Sequence, residues 1–264
     1  MELRNYKKFI SKFRNILKSH GYSDKLIVGK SGGKIRIFYK NNFNNNLPNI
    51  LIMSGQHGEE IAGPWAILKV LEKKPEILEK ANITFIPIVN IYGFKSGKRK
   101  GSNNIVTNYP LKNDNEIRKK VSIEDDVLIN NISLLGKFSK DGFLNLHEDK
   151  DSHSTGFYMY VMGDSTSEIV DKMQSVGKKF FNFKSDGIYH DNGVYEIKNG
   201  IVNDLKDYTF DYFITQKFDI PLSITIETPA KNGINIWKRV SASGSMMIAF
   251  VNGINKQFIY RNSI

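Results

Sequence analysis

Three short apolar runs, each stopping on polar side chains, constrain this chain more than any other feature. Asn49–Met53 leads into Ser54-Gly-Gln-His57-Gly-Glu-Glu60, Leu144-Asn-Leu146 leads into His147, and Ser223-Ile-Thr-Ile226 leads into Glu227. Short, nearly unbroken apolar runs are what strands covered on both faces look like, and such strands belong to sheets lying between helices. In open sheets of that kind, ligands sit beyond the carboxyl ends of the strands. The sequence therefore places its chemistry-bearing residues where these three runs end.

The intervening segments supply the helices. Tyr6, Phe9, Ile10, Phe13, Ile16 and Leu17 recur at helical spacing among Lys and Arg, with Gly21 as the stop. Their apolar face is expected to pack on the chain's own core rather than on a membrane or a partner. Leu26–Val28 and Lys34–Tyr39 read as strands about the Ser31-Gly-Gly33 turn, and Ile61–Lys73 as a helix with Gly63-Pro64 in its first turn. Asn82–Val89 is a strand in which Pro87 marks an edge or an irregularity. Asn90–Asn115 reads as a long polar loop. Ser122 and Asp125 form a capping box before a helix through about Phe138. Phe157–Met162 is a strand, Ser165–Phe181 a helix, Gly187–Val202 irregular or hairpin-like, Tyr208–Phe218 a short aromatic helix, and Asn235–Phe258 a long closing helix. Strands alternating with helices imply an α/β sandwich with helices on both faces of a largely parallel or mixed sheet, in one domain over residues 1–264.

Composition narrows the chemistry. Cysteine is absent, so any metal must be held by His, Asp or Glu, and the five histidines are His20, His57, His147, His153 and His190. His20 falls in the last turn of the first helix, where a cation suits the helix dipole, and is not expected to be a ligand. The net charge of +11 is scattered, with Lys95–Lys100 the one local cluster and no nucleic-acid motif beside it, so no nucleic-acid partner is expected. No window has the length of a membrane span and the first twenty or so residues are too charged for a signal core, so no membrane partner and a cytoplasmic location are expected. A chain trimmed of a leader would read the same, and oligomeric state leaves no signature.

His57, Glu60 and His147 make the two-imidazole, one-carboxylate set of a catalytic zinc site with a fourth position open to water. Glu59 ranks behind Glu60 as a ligand, and His153 behind His147 because it lies in a polar loop. Glu148 and Asp149 either orient an imidazole or are plain loop carboxylates. Glu227 ends a strand that is otherwise buried, and its functional reading is the general base for that water, against a buried salt bridge to a Lys or Arg. Arg99 either stabilises an oxyanion or belongs, with Lys98 and Lys100, to a solvated basic loop.

Together these residues resemble the M14 zinc carboxypeptidase family and its acyl-amino-acid deacylase relatives, the aspartoacylase and succinylglutamate desuccinylase group. Gly55-Gln-His57-Gly-Glu-Glu60 is similar to the family's first metal motif, His147 to its later lone ligand, and Ile226-Glu227-Thr-Pro229 to the strand bearing its catalytic glutamate. Asn90-Ile-Tyr-Gly93 followed by Gly97-Lys-Arg99 resembles the loop leading to its oxyanion arginine. The resemblance spans roughly Asn49 to Pro229. It implies an α/β/α sandwich about a mixed, twisted sheet with zinc at its carboxyl edge. It also implies removal of a C-terminal residue from a peptide, or of an acyl group from an amino acid, with carboxypeptidase action preferred. Where the family carries Asn-Arg to grip a terminal carboxylate, this chain reads Asn104-Ile-Val-Thr107-Asn108-Tyr-Pro110, so Thr107 replaces the arginine. Asn108 is retained as a substrate-binding residue, with Arg118, Lys112 or Lys100 as substitutes for the missing grip. Tyr208, with Tyr212 as rival, corresponds to the family's active-site tyrosine. A basic chain suggests acidic substrates. The reading from another class is a metal-free binding module on the same fold.

Overall fold

The computed structural model describes residues 3–114, 116–150, 155–190, 194–230 and 233–263. The chain runs through α1 (Tyr6–Lys18), β1 (Tyr22–Val28), β2 (Lys34–Lys40), β3 (Asn49–Ser54), α2 (Ala62–Lys73), β4 (Asn82–Ile86) and α3 (Ile91–Ser96). A small pair, β5 (Leu111–Asn113) with β6 (Glu116–Ile117), precedes α4 (Ile123–Asn130), α5 (Ile132–Phe138), β7 (Gly142–Asp149), β8 (Tyr158–Gly163) and α6 (Glu168–Gly177). A second pair, β9 (Gly187–His190) with β10 (Val194–Ile197), leads to β11 (Ile201–Asn203), α7 (Phe210–Phe218), β12 (Leu222–Pro229) and α8 (Ile236–Asn262).

Eight strands form one sheet in the order β1-β2-β4-β3-β7-β12-β8-β11. Its centre, β4-β3-β7-β12, is parallel throughout, and antiparallel pairings occur at β1-β2, β2-β4 and β12-β8. Residues of the central strands alternate between two apolar cores. Ile50, Ile52, Leu144, Leu146, Ile224 and Ile226 join Phe9, Trp65, Met246 and Phe250 on the side of α1, α2, α6 and α8. Leu51, Met53 and Phe143 join Val127, Leu135, Phe210 and Ile214 on the side of α4, α5 and α7. The period of two along each strand thus produces the expected α/β/α sandwich around a mixed, mostly parallel sheet.

The amphipathic first helix buries Phe9, Ile10, Phe13 and Leu17 against this core, as its periodicity implied. Each such side chain contributes about 1.5–3 kcal/mol when fully buried. Two segments differ from expectation. The stretch after Asn90 begins with a one-and-a-half-turn helix, α3, closed by Gly97 in the left-handed region; it is too short to show a period. The helix capped by Ser122 ends at Asn131, whose side chain donates to the carbonyls of Val28 and Val127, and α5 restarts beyond it. Of the two roles open to Pro87, the structure has the irregularity: β4 stops at Ile86, Pro87 lies in a bend, and β4 itself runs between β2 and β3. No helix among the described residues is long and apolar enough to cross a membrane.

Candidate metal centre

The chain leaves β3 toward β4 on one side and returns through β7 on the other. Connections therefore diverge at the carboxyl ends of β3 and β7, where open α/β sheets leave a crevice. Strand alternation selects what faces it. Leu144 and Leu146 of β7 enter the α2–α8 core, so Asn145 and His147 share the opposite face; Thr225 and Glu227 do the same on β12. In register, Glu227 stands opposite His147 and Thr225 opposite Asn145.

His57 lies in the loop that follows β3. Its Nδ1 is 2.6 Å from Glu60 Oε1, and His147 Nδ1 is 2.9 Å from Glu60 Oε2. One ligand atom from each residue lies within 4.8 Å of the other two, and all three residues are buried. The His147 contact is not aligned as a hydrogen bond, and Nε2 of both rings has no hydrogen-bond partner among the described residues. A buried imidazole lone pair without a partner is costly unless a cation takes it. Two imidazoles and a carboxylate, with no thiolate, suit a divalent first-row metal ion. The residues present therefore fit such an ion.

Charge in this cluster is strongly coupled. Burial favours neutral Glu60, but the two imidazoles outweigh it and hold the carboxyl below the ordinary carboxylate range. Burial likewise disfavours protonated His147, yet Glu60 and then Glu227 push it up to about 9. For His57, burial prevails and lowers the imidazole. Burial also raises the Glu227 carboxyl well above its usual value, with Glu60 and Asp149 adding to the effect and His147 and Arg99 opposing it.

Neighbouring groups fix the loop. The Glu148 backbone N–H lies 3.3 Å from Glu60 Oε2, and the buried Glu148 carboxylate accepts from Ala62 N–H at 2.8 Å and from Arg239. Helix α2 has no side-chain cap of its own, so Glu148 satisfies an open donor there from the next strand. Gly58 rests directly on α3: a Cβ there would lie 2.0 Å from the Gly93 carbonyl carbon. Asn90 explains the Asn-x-x-Gly sequence. Its Oδ1 accepts Gly93 N–H at 2.7 Å and its Nδ2 donates to Arg99 O at 3.2 Å, holding the helix start and the arginine together. Arg99 Nη1 lies 3.3 Å from Glu60 Oε1 and 3.4 Å from Glu59 Oε1.

A cavity of about 760 Å³ opens over these groups, lined on its far side by Tyr158, Tyr160, Tyr195, Asp207, Tyr208 and Asp211. Thr225, one rung below Glu227 and about 7 Å earlier along β12, also lines it. There Asp211 accepts from Asn145 Nδ2 at 2.9 and 3.0 Å and from Thr225 Oγ1 at 2.6 Å.

The structure brings His57, Glu60, Arg99, Asn108, His147, Tyr208 and Glu227 to this one cavity. Asn108 adopts φ +79° and its Oδ1 accepts from Gln56 and from Phe210 N–H. Tyr208 is preferred over Tyr212, whose hydroxyl donates instead to Asp114 at 2.9 Å. Arg118 does not reach the site: it is exposed and its Nε donates to Leu111 O. Lys100 and Lys112 do not line the cavity either. Thr107, at the place of the absent arginine, is fully buried and donates to Gln56 O. Glu59 pairs with Arg99 and with Lys150, Asp149 with Lys184, and His153 lies outside the described residues. Sequence reasoning missed Asn145, Thr225, Asp211 and the tyrosines of β8. The signal for the first two was present, since a polar residue two positions before His147 or Glu227 must share its face.

Residues 46–157 match the Succinylglutamate desuccinylase/Aspartoacylase catalytic domain family. Among solved structures, an inferred metallopeptidase from Shewanella amazonensis SB2B is 25% identical, with TM-score 0.83 over 95% of this chain and 93% of that one. A metallo-carboxypeptidase from Burkholderia cenocepacia (14% identity, TM-score 0.66, 96% of this chain, 69% of that one) shares the fold. So does an aspartoacylase family protein from Mesorhizobium loti (18%, TM-score 0.56, 87% and 67%). No curated protein matches the sequence.

Proposed function

We propose that this chain, which carries the fold and the ordered motifs of the carboxypeptidase and aspartoacylase superfamily, is a zinc-dependent hydrolase of peptide or amide bonds. His57, Glu60 and His147 hold the metal, Glu227 is the general base, and Arg99 stabilises the oxyanion. The observation that carries this reading is the convergence of two buried imidazoles on the two oxygens of one buried carboxylate.

A divalent cation bound there supplies Lewis acidity, polarising a carbonyl and easing the deprotonation of water. The remaining work belongs to the protein. Glu227 is not neutralised by a neighbouring cation among the described residues: Arg99 pairs with Glu59 and Glu60, Lys184 with Asp149, and Arg239 with Glu148. No ion pair among the described residues ties up Glu227, and a carboxyl raised by burial is, once ionised, a stronger base for the attacking water and then a proton donor to the leaving nitrogen. Arg99 offers donors to negative charge developing on the carbonyl oxygen.

Cleavage of a C-terminal residue from a peptide is the preferred activity, with N-acyl-amino-acid deacylation second. Three basic side chains, Arg99, Lys150 and Lys206, line the cavity, and acidic ones outnumber them there. Lys150 and Lys206 at its edge pair with Glu59 and Asp114, while no Lys or Arg among the described residues pairs with Asp207 or Asp211. Acidic substrates, suggested by composition, are thus disfavoured. A panel that compares C-terminal residue release with N-acyl removal tests this. Faster peptide trimming, with acidic leaving residues slowest, supports the reading. Faster acyl removal moves the chain to the deacylases, and neither activity with no metal bound leaves the metal-free binding module.

A further inference from the structure

Three consecutive residues ahead of α1 are each tied down. Leu3 O accepts Trp65 Nε1 at 3.0 Å, and Asn5 Oδ1 caps α1 by accepting Lys8 N–H at 3.0 Å. Between them, Arg4 Nη1 donates to Gly58 O at 2.8 Å and to Phe94 O at 2.9 Å, and Arg4 Nη2 donates to Glu59 O at 3.1 Å. One planar guanidinium thus holds two successive carbonyls of the loop between His57 and Glu60 and a third carbonyl on α3.

Other contacts reach the loop through its side chains and its flank: Glu148 N–H lies against Glu60 Oε2, Arg99 and Lys150 pair with Glu59, and Thr107 donates to Gln56 O. The loop's own backbone bond is Glu60 N–H to His57 O at 3.1 Å. Its contact with α3 is backbone against backbone at Gly58 and Gly93, where no side chains interlock. The peptide groups that Arg4 fixes set how far the His57 imidazole stands from the Glu60 carboxylate. The carbonyl it fixes on α3 belongs to the segment that delivers Arg99. A lysine cannot reproduce this, because an ammonium is a point donor and lacks the rigid fork that reaches three acceptors at once.

We propose that Arg4 is a positioning residue of the metal centre, clamping the His57–Glu60 loop to α3 so that imidazole, carboxylate and Arg99 keep their spacing. The inference rests on the reading of His57, Glu60 and His147 as ligands. Arg4 touches neither metal nor substrate; it acts through the backbone.

The test uses Arg4→Lys and Arg4→Ala in the full chain, with two readouts independent of turnover. Zn²⁺ affinity, measured by competition with a chromophoric chelator, is expected to weaken about 10–100-fold in both variants, the range typical of groups that orient ligands. In metal-free protein, the Glu60 amide is expected to exchange faster, while the amides of Ile52 and Leu144 in the central strands keep wild-type protection. Millimolar guanidinium ion should return part of the lost affinity to Arg4→Ala. Affinity within twofold of wild type overturns the proposal. So does a loss that tracks equal deprotection of the central strands, which would mark Arg4 as merely structural. Wild-type protein that binds no Zn²⁺ would instead sink the metal reading, and the exchange of Glu60 would still decide whether Arg4 locks the loop.

Discussion

Glu227 stands opposite His147 in the parallel register of β7 and β12, on the same face of the sheet. Adjacent strands lie about 4.8 Å apart, so a ligand and a base from neighbouring strands reach one small volume without any loop having to place them. Replacing Glu227 by Gln keeps the shape and removes the base. Turnover should fall by roughly 10²–10⁴-fold while metal stoichiometry stays near one per chain. Wild-type turnover in the variant would refute the base assignment.

Removing the metal should cost stability as well as activity. Without a cation, Glu60 is held between two imidazoles whose remaining nitrogens have no partner among the described residues. Chelation should therefore lower the melting temperature, and Zn²⁺ at about a thousandfold excess over its dissociation constant should restore about 4 kcal/mol. His147→Ala should abolish both the restoration and the binding. A melting temperature indifferent to chelator and to Zn²⁺ would argue against a metal at this site.

Much of this arrangement was legible because strands and their ends obey a period of two. The runs ending at His57, His147 and Glu227 announced a covered sheet and the place of its crevice, and the structure has both. What sequence could not show was the far wall. Asp211 is the second residue of α7, an ordinary position for an acid in a first helical turn, and only tertiary packing brings it beneath Asn145 and Thr225. Arg118 illustrates the opposite error. Proximity in sequence to Asn108 made it a substitute for the missing arginine, but the β5–β6 pair carries it outward to the Leu111 carbonyl. Helix α3 escaped notice because a capping asparagine and a left-handed glycine, not apolar periodicity, define six residues of helix.

Gly58→Ala should damage the centre through backbone displacement alone. The added methyl carbon would fall 2.0 Å from the Gly93 carbonyl carbon, so either α3 or the His57–Glu60 loop has to move. Overpacking of this kind costs about 1–3 kcal/mol. The expected result is a modest drop in the unfolding midpoint together with a much larger loss of Zn²⁺ affinity, because the moved backbone carries two of the three ligands. Equal affinity in the variant would show that the loop tolerates displacement and that its contact with α3 does not set ligand spacing.

Asp125 should make stability depend on pH through a residue outside the metal cluster. It is buried in the first turn of α4, where its Oδ1 accepts Asn108 N–H at 3.0 Å and its Oδ2 has no hydrogen-bond partner among the described residues. Burial pushes its carboxyl up to about 7. An unfolded aspartate titrates near 3.9, so the folded chain holds this proton more tightly. The contribution is complete below about pH 4 and is lost as pH rises through about 7, with a slope of at most about 1.4 kcal/mol per pH unit. Asp125→Asn keeps an acceptor for Asn108 N–H and cannot ionise. Denaturant midpoints should show the wild type losing ground to this variant between pH 5 and pH 8, with the variant at least as stable at the upper end. A difference between the two that stays constant over that interval would mean Asp125 is ionised throughout.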